Sequence, residues 1–331
     1  MTKNSRIGCT IDLDSPGRQA GYLNVPFSRN DSAWGAIRVP ITVVRGGAGP
    51  TVLMTAGNHG DEYEGPLALL NLAAELDPAR MAGRVILLPS MNHPAVRAGT
   101  RVSPVDGVNM NRCFPGLRGG SPTRMLAHFV YHELVMRADM VVDLHSGGRT
   151  LDFVPSVCMH QLDDETLTER TRAAVLAFGA PLALVLRELD TEGLFDSSVE
   201  ELGKVFVTTE LGGGGSTTPE RLAIAGRGVR NLLRHAGVLP GQPVPPSAPQ
   251  RFATTPEDGF MVSDDAGLLE PLVELGAPIT AGQPLARVHD FETPGAAPRL
   301  YTAPRTGFLY ARHFPGLVQR GDCLAVVATE H

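Results

Sequence analysis

The chain has 331 residues, 43% of them hydrophobic and 19% charged, which supplies a packed core and excludes a disordered chain. A net charge of −6 excludes nucleic acid as an expected partner. Four scattered cysteines (Cys9, Cys113, Cys158, Cys323), with no Cys-x-x-Cys pair, fit a reducing compartment better than a disulfide framework.

Residues 1–35 are polar and carry no clear element; Met1–Ser15 lacks the apolar core of a secretory signal. Ala36–Val44 reads as a strand and Gly46–Pro50 as a turn. The apolar run Thr51–Ala56 is a buried strand, Gly57–Gly65 a glycine-rich loop, and Glu64–Leu76 a helix. Arg84–Pro89 is another short strand, followed by a long Asn-, Arg-, Pro- and Gly-rich loop over Ser90–Ser121; loops of that length inside a domain are usually functional. Thr123–Arg137 reads as a helix, Met140–Leu144 as a strand, Asp164–Phe178 as an amphipathic helix, Pro181–Leu186 and Lys204–Thr209 as strands, and Pro219–His235 as a helix. Strands alternating with helices predict an α/β domain over residues 1–240, a mostly parallel or mixed sheet with helices on both faces.

The composition then changes. Pro240–Pro249 opens a proline-stiffened linker, placed over residues 241–256. Residues 257–331 show short glycine-punctuated strands and no helical period, the pattern of a small all-β sandwich or barrel-like module. Its two halves rhyme loosely, as in a lipoyl- or biotinyl-like sandwich. No lysine occurs in residues 205–331, so the module carries no lysine-linked group and is expected to be structural. No apolar run approaches the roughly 18 residues that span a bilayer. The expectation is a cytoplasmic protein with no membrane partner, and a homo-oligomer is left open.

Several polar residues fall at the carboxyl ends of these strands, where open α/β sheets place ligands. His59 and Glu62 sit three apart on the Gly57–Gly65 loop, and imidazole and carboxylate both suit zinc. His145 directly follows the Met140–Leu144 strand and is the best third ligand; Asp143, two residues earlier, can orient its ring. Two histidines and a carboxylate leave a position open for water. Glu210 ends the Lys204–Thr209 strand before four glycines, Gly212–Gly215, expected to form a mobile loop; a carboxylate there can take a proton from water and return it to a leaving amine. Arg101, Asn111 and Arg112 on the long loop are donors for a substrate carboxylate and a polarised carbonyl. His128 and His132 have the spacing of a helical zinc pair, but no Glu follows His128 in the motif position, so they read as helix-surface or partly buried histidines.

Gly57-Asn58-His59-Gly60-Asp61-Glu62, then Asn111-Arg112, His145 and Glu210, in this order, resemble the succinylglutamate desuccinylase/aspartoacylase family, a branch of the zinc carboxypeptidase fold. The resemblance covers roughly residues 36–236, and the C-terminal module matches the family's extension in kind. It implies one zinc on His59, Glu62 and His145, Glu210 as general base and acid, Asn111 and Arg112 on the substrate carboxylate, and Arg101 on the acyl carbonyl. Asn109 stands where some relatives carry Asp, a change expected to alter substrate charge preference. Asp31–Gly35, His145–Phe153 and Thr208–Gly215 extend the likeness to one branch, which implies removal of an acetyl group from a small N-acyl amino acid bearing a side-chain ammonium. An acidic wall would then be needed, and Glu188, Asp190, Glu192, Asp196, Glu200, Glu201 and Asp152 are its candidates. A deacylase of another N-acyl amino acid, of the N-acetylaspartate or N-succinylglutamate type, a peptide-cleaving carboxypeptidase and a non-catalytic binding protein on the same fold are the alternatives.

Overall fold

The computed structural model describes residues 5–186 and 192–331. Its organising unit is a mixed sheet whose centre is three adjacent parallel strands: Gly47–Ala56, Met140–His145 and Val205–Glu210. Side chains of these strands are buried alternately on two faces. Val52, Met54, Val142 and Val207 join one apolar cluster; Leu53, Val141 and Phe206 join another. Burial on both faces is why the strands read as nearly continuous apolar runs.

Helices Glu64–Glu75, Glu165–Phe178 and Pro219–His235 cover the first face through Leu69, Leu72, Val175, Phe178, Val229 and Leu232. The second face is covered by Phe129, Val130 and Leu134, on a helix that starts at Pro122–Phe129 and continues through a π turn at Val130–Leu134, and by Phe195 and Val199 on the short helix Phe195–Glu200. The expected α/β fold with helices on both faces is thus the observed one. The helix Glu165–Phe178 begins where Asp164 accepts from the Leu167 amide at 3.0 Å, an ordinary N-cap.

Several elements were not visible in the sequence. Gly17–Pro26 forms a full-length hairpin with Ala36–Arg45, although its polar composition reads as no element. Ser156–His160 inserts between Val205–Glu210 and Leu182–Leu186, antiparallel to the first and parallel to the second. The long loop contains a short helix, His93–Ala98, ended by left-handed Gly99, and a 3₁₀ turn at Met110–Arg112.

The Pro240–Pro249 run lies against the last helix, where Asn231 donates to the Val244 carbonyl and accepts from its amide, both at 2.8 Å. Arg251–Thr254, inside the segment read as a linker, is a strand. It pairs parallel with Leu182–Leu186 and antiparallel with Cys323–Glu330, so the sheet runs on into the C-terminal β layer. That layer packs a second, four-stranded sheet against Leu309, Leu324 and Val327. Leu151–Phe153 pairs with Gly307–His313, a further backbone seam between the two parts.

Candidate active site

Parallel pairing brings the carboxyl ends of the three central strands side by side. Ala56 is in register with Leu144, and Glu210 with His145. The loop that leaves Ala56 and the side chains of His145 and Glu210 therefore open onto one cavity of about 390 Å³. His59, Glu62, Arg101, Asn111, Arg112, Asp143, His145 and Glu210 all line it.

Within the cavity, His59 Nδ1 lies 2.7 Å from Glu62 Oε1, and His145 Nδ1 lies 3.0 Å from Glu62 Oε2. The ligand atoms offered by these three residues all fall within 4.8 Å of one another. They are the one group of three or more potential metal ligands among the described residues; the rings of His128 and His132 lie 4.3 Å apart elsewhere, tilted to one another, and belong to no such group. Behind them, His145 Nε2 is held at 2.8 Å by Asp143 Oδ2. Asp143 accepts in turn from Thr55 Oγ1 (2.6 Å) and Asn58 Nδ2 (3.0 Å), which leaves the imidazole one orientation. A carboxylate fixing a histidine's far nitrogen is the usual support of a metal-binding imidazole.

Burial opposes charge on every member of this cluster, and pairing decides the outcome. It pulls His59 down. For His145, burial also acts downward, but the carboxylates of Asp143 and Glu62 outweigh it and hold the imidazolium well above its ordinary range. Burial would raise Glu62, yet the two histidines bring it far below the carboxylate range. His59 Nε2 is buried with no hydrogen-bond partner. Two imidazoles converging on both oxygens of one buried carboxylate form a donor set that fits a divalent cation.

Glu210 is different. Its carboxyl is pushed up to about 8, first by burial and then by the charge of Glu62, against the opposing pull of His145 and Arg101. Its Oε2 is buried without a partner, so no neighbour competes for the proton this group carries. Arg101 NH1 stands 3.8 Å from Glu62 Oε1 with its side chain half exposed. Asn111 Oδ1 accepts from Asn58 Nδ2 at 3.1 Å and from the Phe195 amide at 3.4 Å, leaving its NH₂ as the donor end.

Local packing explains the glycines. A Cβ on Gly60 would lie 1.9 Å from the Ala95 carbonyl carbon, so only glycine lets the loop cross the His93–Ala98 helix there. The Gly212–Gly215 run, expected to be mobile, is instead stitched to its neighbours. Gly212 accepts from the amides of Gly147 (2.9 Å) and Phe153 (3.1 Å), and Gly214 donates to Leu151 at 3.0 Å. All four have positive φ, and a Cβ on Gly213 would meet the Leu151 carbonyl at 2.0 Å. Close backbone approach, not mobility, is what these glycines provide.

Two other expectations change. Asn109 accepts from the Asn111 amide at 3.1 Å and caps the 3₁₀ turn; it does not line the cavity. The C-terminal layer is more than structural, because Phe260, Tyr310, Cys323 and Val326 wall one side of the cavity. No local signal announced them: Tyr310 reaches Ser156 at 2.9 Å across 154 residues of chain. Of the acidic candidates, Asp196 lines the cavity, Asp152 pairs with Arg221 at 2.6 Å, and Glu200 pairs with His160 at 2.8 Å. Glu192 and Glu201 are exposed, and Glu188 and Asp190 fall outside the described residues.

Residues 48–236 match the model of the succinylglutamate desuccinylase/aspartoacylase catalytic domain. The chain is 50% identical over 325 residues to N-alpha-acetyl-L-2,4-diaminobutyric acid deacetylase of Halomonas elongata, covering 98% of this chain and 95% of that protein. It superposes on the product-bound structure of the ectoine utilization protein EutE of Ruegeria pomeroyi with a TM-score of 0.96 at 48% identity, over 98% of this chain and 99% of that one. A succinylglutamate desuccinylase/aspartoacylase structure from Rhodobacter sphaeroides matches with a TM-score of 0.94 at 43% identity, over 99% of this chain and 100% of that one.

Proposed function

The chain belongs to the succinylglutamate desuccinylase/aspartoacylase family, and from that premise we propose that it is a zinc-dependent amidohydrolase that removes the acetyl group from Nα-acetyl-L-2,4-diaminobutyrate. The observation that carries the substrate is the near full-length identity to the Halomonas elongata deacetylase. His59, Glu62 and His145 would hold one zinc, which supplies a Lewis acid and a water activated at neutral pH. Glu210 takes the proton of the attacking water and returns it to the leaving amine, from its place in the same cavity as the three ligands. Arg101, beside Glu62, is placed to polarise the acyl oxygen. Arg112 grips the α-carboxylate and the Asn111 NH₂ donates to it.

The cavity supports a small substrate over a polypeptide. It is about 390 Å³, and the C-terminal layer closes one wall of it. No described helix is long and apolar enough to cross a membrane. All four cysteines are free, which supports a cytoplasmic location.

Two outcomes test this reading. In competition kinetics on equimolar mixtures, Nα-acetyl-L-2,4-diaminobutyrate is hydrolysed with a kcat/KM ~10- to 100-fold above N-acetyl-L-aspartate and N-succinyl-L-glutamate, the value of one desolvated ion pair. A preference for either acidic substrate removes the diaminobutyrate assignment. Arg112→Lys raises KM for the free acid, because an ammonium cannot make the guanidinium's bidentate fork. Equal use of the free acid and its amide by the wild-type enzyme would remove the carboxylate clamp.

A further inference from the structure

Arg221 has no part in the proposed chemistry, yet it sits among charges close behind the site. It lies in the first turn of the helix Pro219–His235, outside the cavity lining, with its side chain only 17% exposed. Its guanidinium meets two carboxylates. NH2 donates to Asp152 Oδ1 at 2.6 Å, and NH1 stands 3.9 Å from Glu64 Oε1. Asp152 is 7% exposed and Glu64 is fully buried. A buried ion pair adds little net stability over apolar packing of the same volume, so this arrangement calls for another reason.

The guanidinium holds the turn that follows Glu210. NH1 donates to the Gly213 carbonyl at 3.1 Å. A Cβ on Gly212 would lie 2.4 Å from Arg221 Nε, so the guanidinium rests directly on the Gly212 backbone, two residues past the base. The same turn grips the neighbouring strand end. The Leu211 amide donates to the His145 carbonyl at 3.0 Å, and the Gly147 amide to the Gly212 carbonyl at 2.9 Å. Asp152 forms an antiparallel bridge with Gly213, and its strand, Leu151–Phe153, pairs with Gly307–His313, which carries Tyr310 to the cavity wall. Glu64 lies two residues past Glu62, at the start of the helix Glu64–Glu75. A single side chain thus ties the turn after the base to the ligand loop and to the seam with the C-terminal layer.

We propose that Arg221 is a positioning residue for the hydrolysis: it locks the turn over residues 211–215 and through it sets the Glu210 carboxylate against His59, Glu62 and His145. The inference rests on Glu210 as the base of the proposed reaction, not on the identity of the substrate side chain. A planar guanidinium serves the Gly213 carbonyl and Asp152 together, with Glu64 beside it, because its nitrogens point in fixed directions. A lysine ammonium supplies the same charge at one point and cannot span them. Arg221→Lys therefore separates orientation from charge. Displacing a catalytic group by about 1 Å costs on the order of 10²-fold in rate. The clamp, Asn111 and Arg112, is carried by the separate loop over residues 90–121, so substrate binding is expected to survive.

The test compares wild type, Arg221→Lys, Asp152→Asn, their double variant and Glu210→Gln. The substrate is whichever of the three N-acyl amino acids named above wild type hydrolyses fastest, and zinc content and Tm are measured on the same preparations. Arg221→Lys keeps one zinc per chain, a Tm near wild type and the wild-type KM, while kcat falls ~10- to 100-fold. The double variant falls no further than Arg221→Lys, because both changes break one bridge. An unchanged kcat overturns the inference, and so do additive losses in the double variant. A loss shared between kcat and KM, or one that follows lost zinc or a lowered Tm, marks a packing residue and overturns it as well. If Arg221→Lys does not fold, Asp152→Asn alone is read by the same split of kcat from KM. If Glu210→Gln turns over normally, the base reading fails and takes this inference with it. If Glu210→Gln is impaired and Arg221→Lys is not, the inference alone fails.

Discussion

Glu210→Gln keeps the fold and one zinc per chain and loses turnover by ~10²–10⁴-fold, the usual cost of removing a general base. The replacement is nearly isosteric and sits in a half-buried position at the end of Val205–Glu210, in register with His145. It leaves His59, Glu62 and His145 untouched, so zinc content measured by metal analysis stays stoichiometric. What disappears is a group that can both take and give a proton. A second readout separates this role from damage to the fold. The Glu210 carboxyl is raised from 4.5 to about 8 by burial and by Glu62. A raised carboxyl binds more protons folded than unfolded, so the stability it contributes is present below pH 4.5 and is lost as pH rises towards 8. Glutamine has no charge to bury. Measured without metal, the Tm of Glu210→Gln relative to wild type therefore climbs between those two values. Near-normal turnover would take Glu210 out of the mechanism.

His145→Ala abolishes stoichiometric zinc, and hydrolysis with it. Two ligands remain, and the loss reaches further than a missing nitrogen. Asp143 and Glu62 are both buried and both bonded to this imidazole; the alanine leaves two negative charges without the group that compensates them. Some loss of stability is expected as well, so circular dichroism accompanies the metal analysis. Asp143→Asn gives the graded comparison. It keeps all three ligands and disturbs only the orientation of His145, for a loss of about 10- to 100-fold in metal affinity. A His145→Ala protein that bound zinc like wild type would show that the ligand set is wrong.

The relation between the two levels of description can be followed residue by residue. His59 and Glu62 are three apart on one glycine-rich turn, so their convergence is a local matter that spacing expresses. The central strands are buried on both faces, so each reads as an apolar run whatever its neighbours are. The helix Pro219–His235 has matching ends in sequence and structure because Thr218, which accepts from the Arg221 amide at 3.2 Å, and Pro219 mark its start, and Gly237 lies just beyond its end. These features depend on a few adjacent residues, and the sequence by itself determines them: an α/β domain, a β-rich tail, and a set of residues with metal and acid–base chemistry.

Adjacency between distant strands is another kind of fact. That Met140–His145 lies between Gly47–Ala56 and Val205–Glu210 is decided by packing among segments more than 60 residues apart, and no periodicity records it. The hairpin strand Gly17–Pro26 is defined by its partner rather than by its own polar composition. The Gly212–Gly215 run looks like a free loop until the backbones it must touch are in place. The same holds for Tyr310, which reaches the cavity wall from the C-terminal layer, and for Asp196, which faces the cavity while Glu192 and Glu201 face solvent. Local chemistry is written in short stretches because bond geometry and burial act over a few residues. The meeting of those stretches at one cavity is a property of the assembled sheet, and only the tertiary structure decides it.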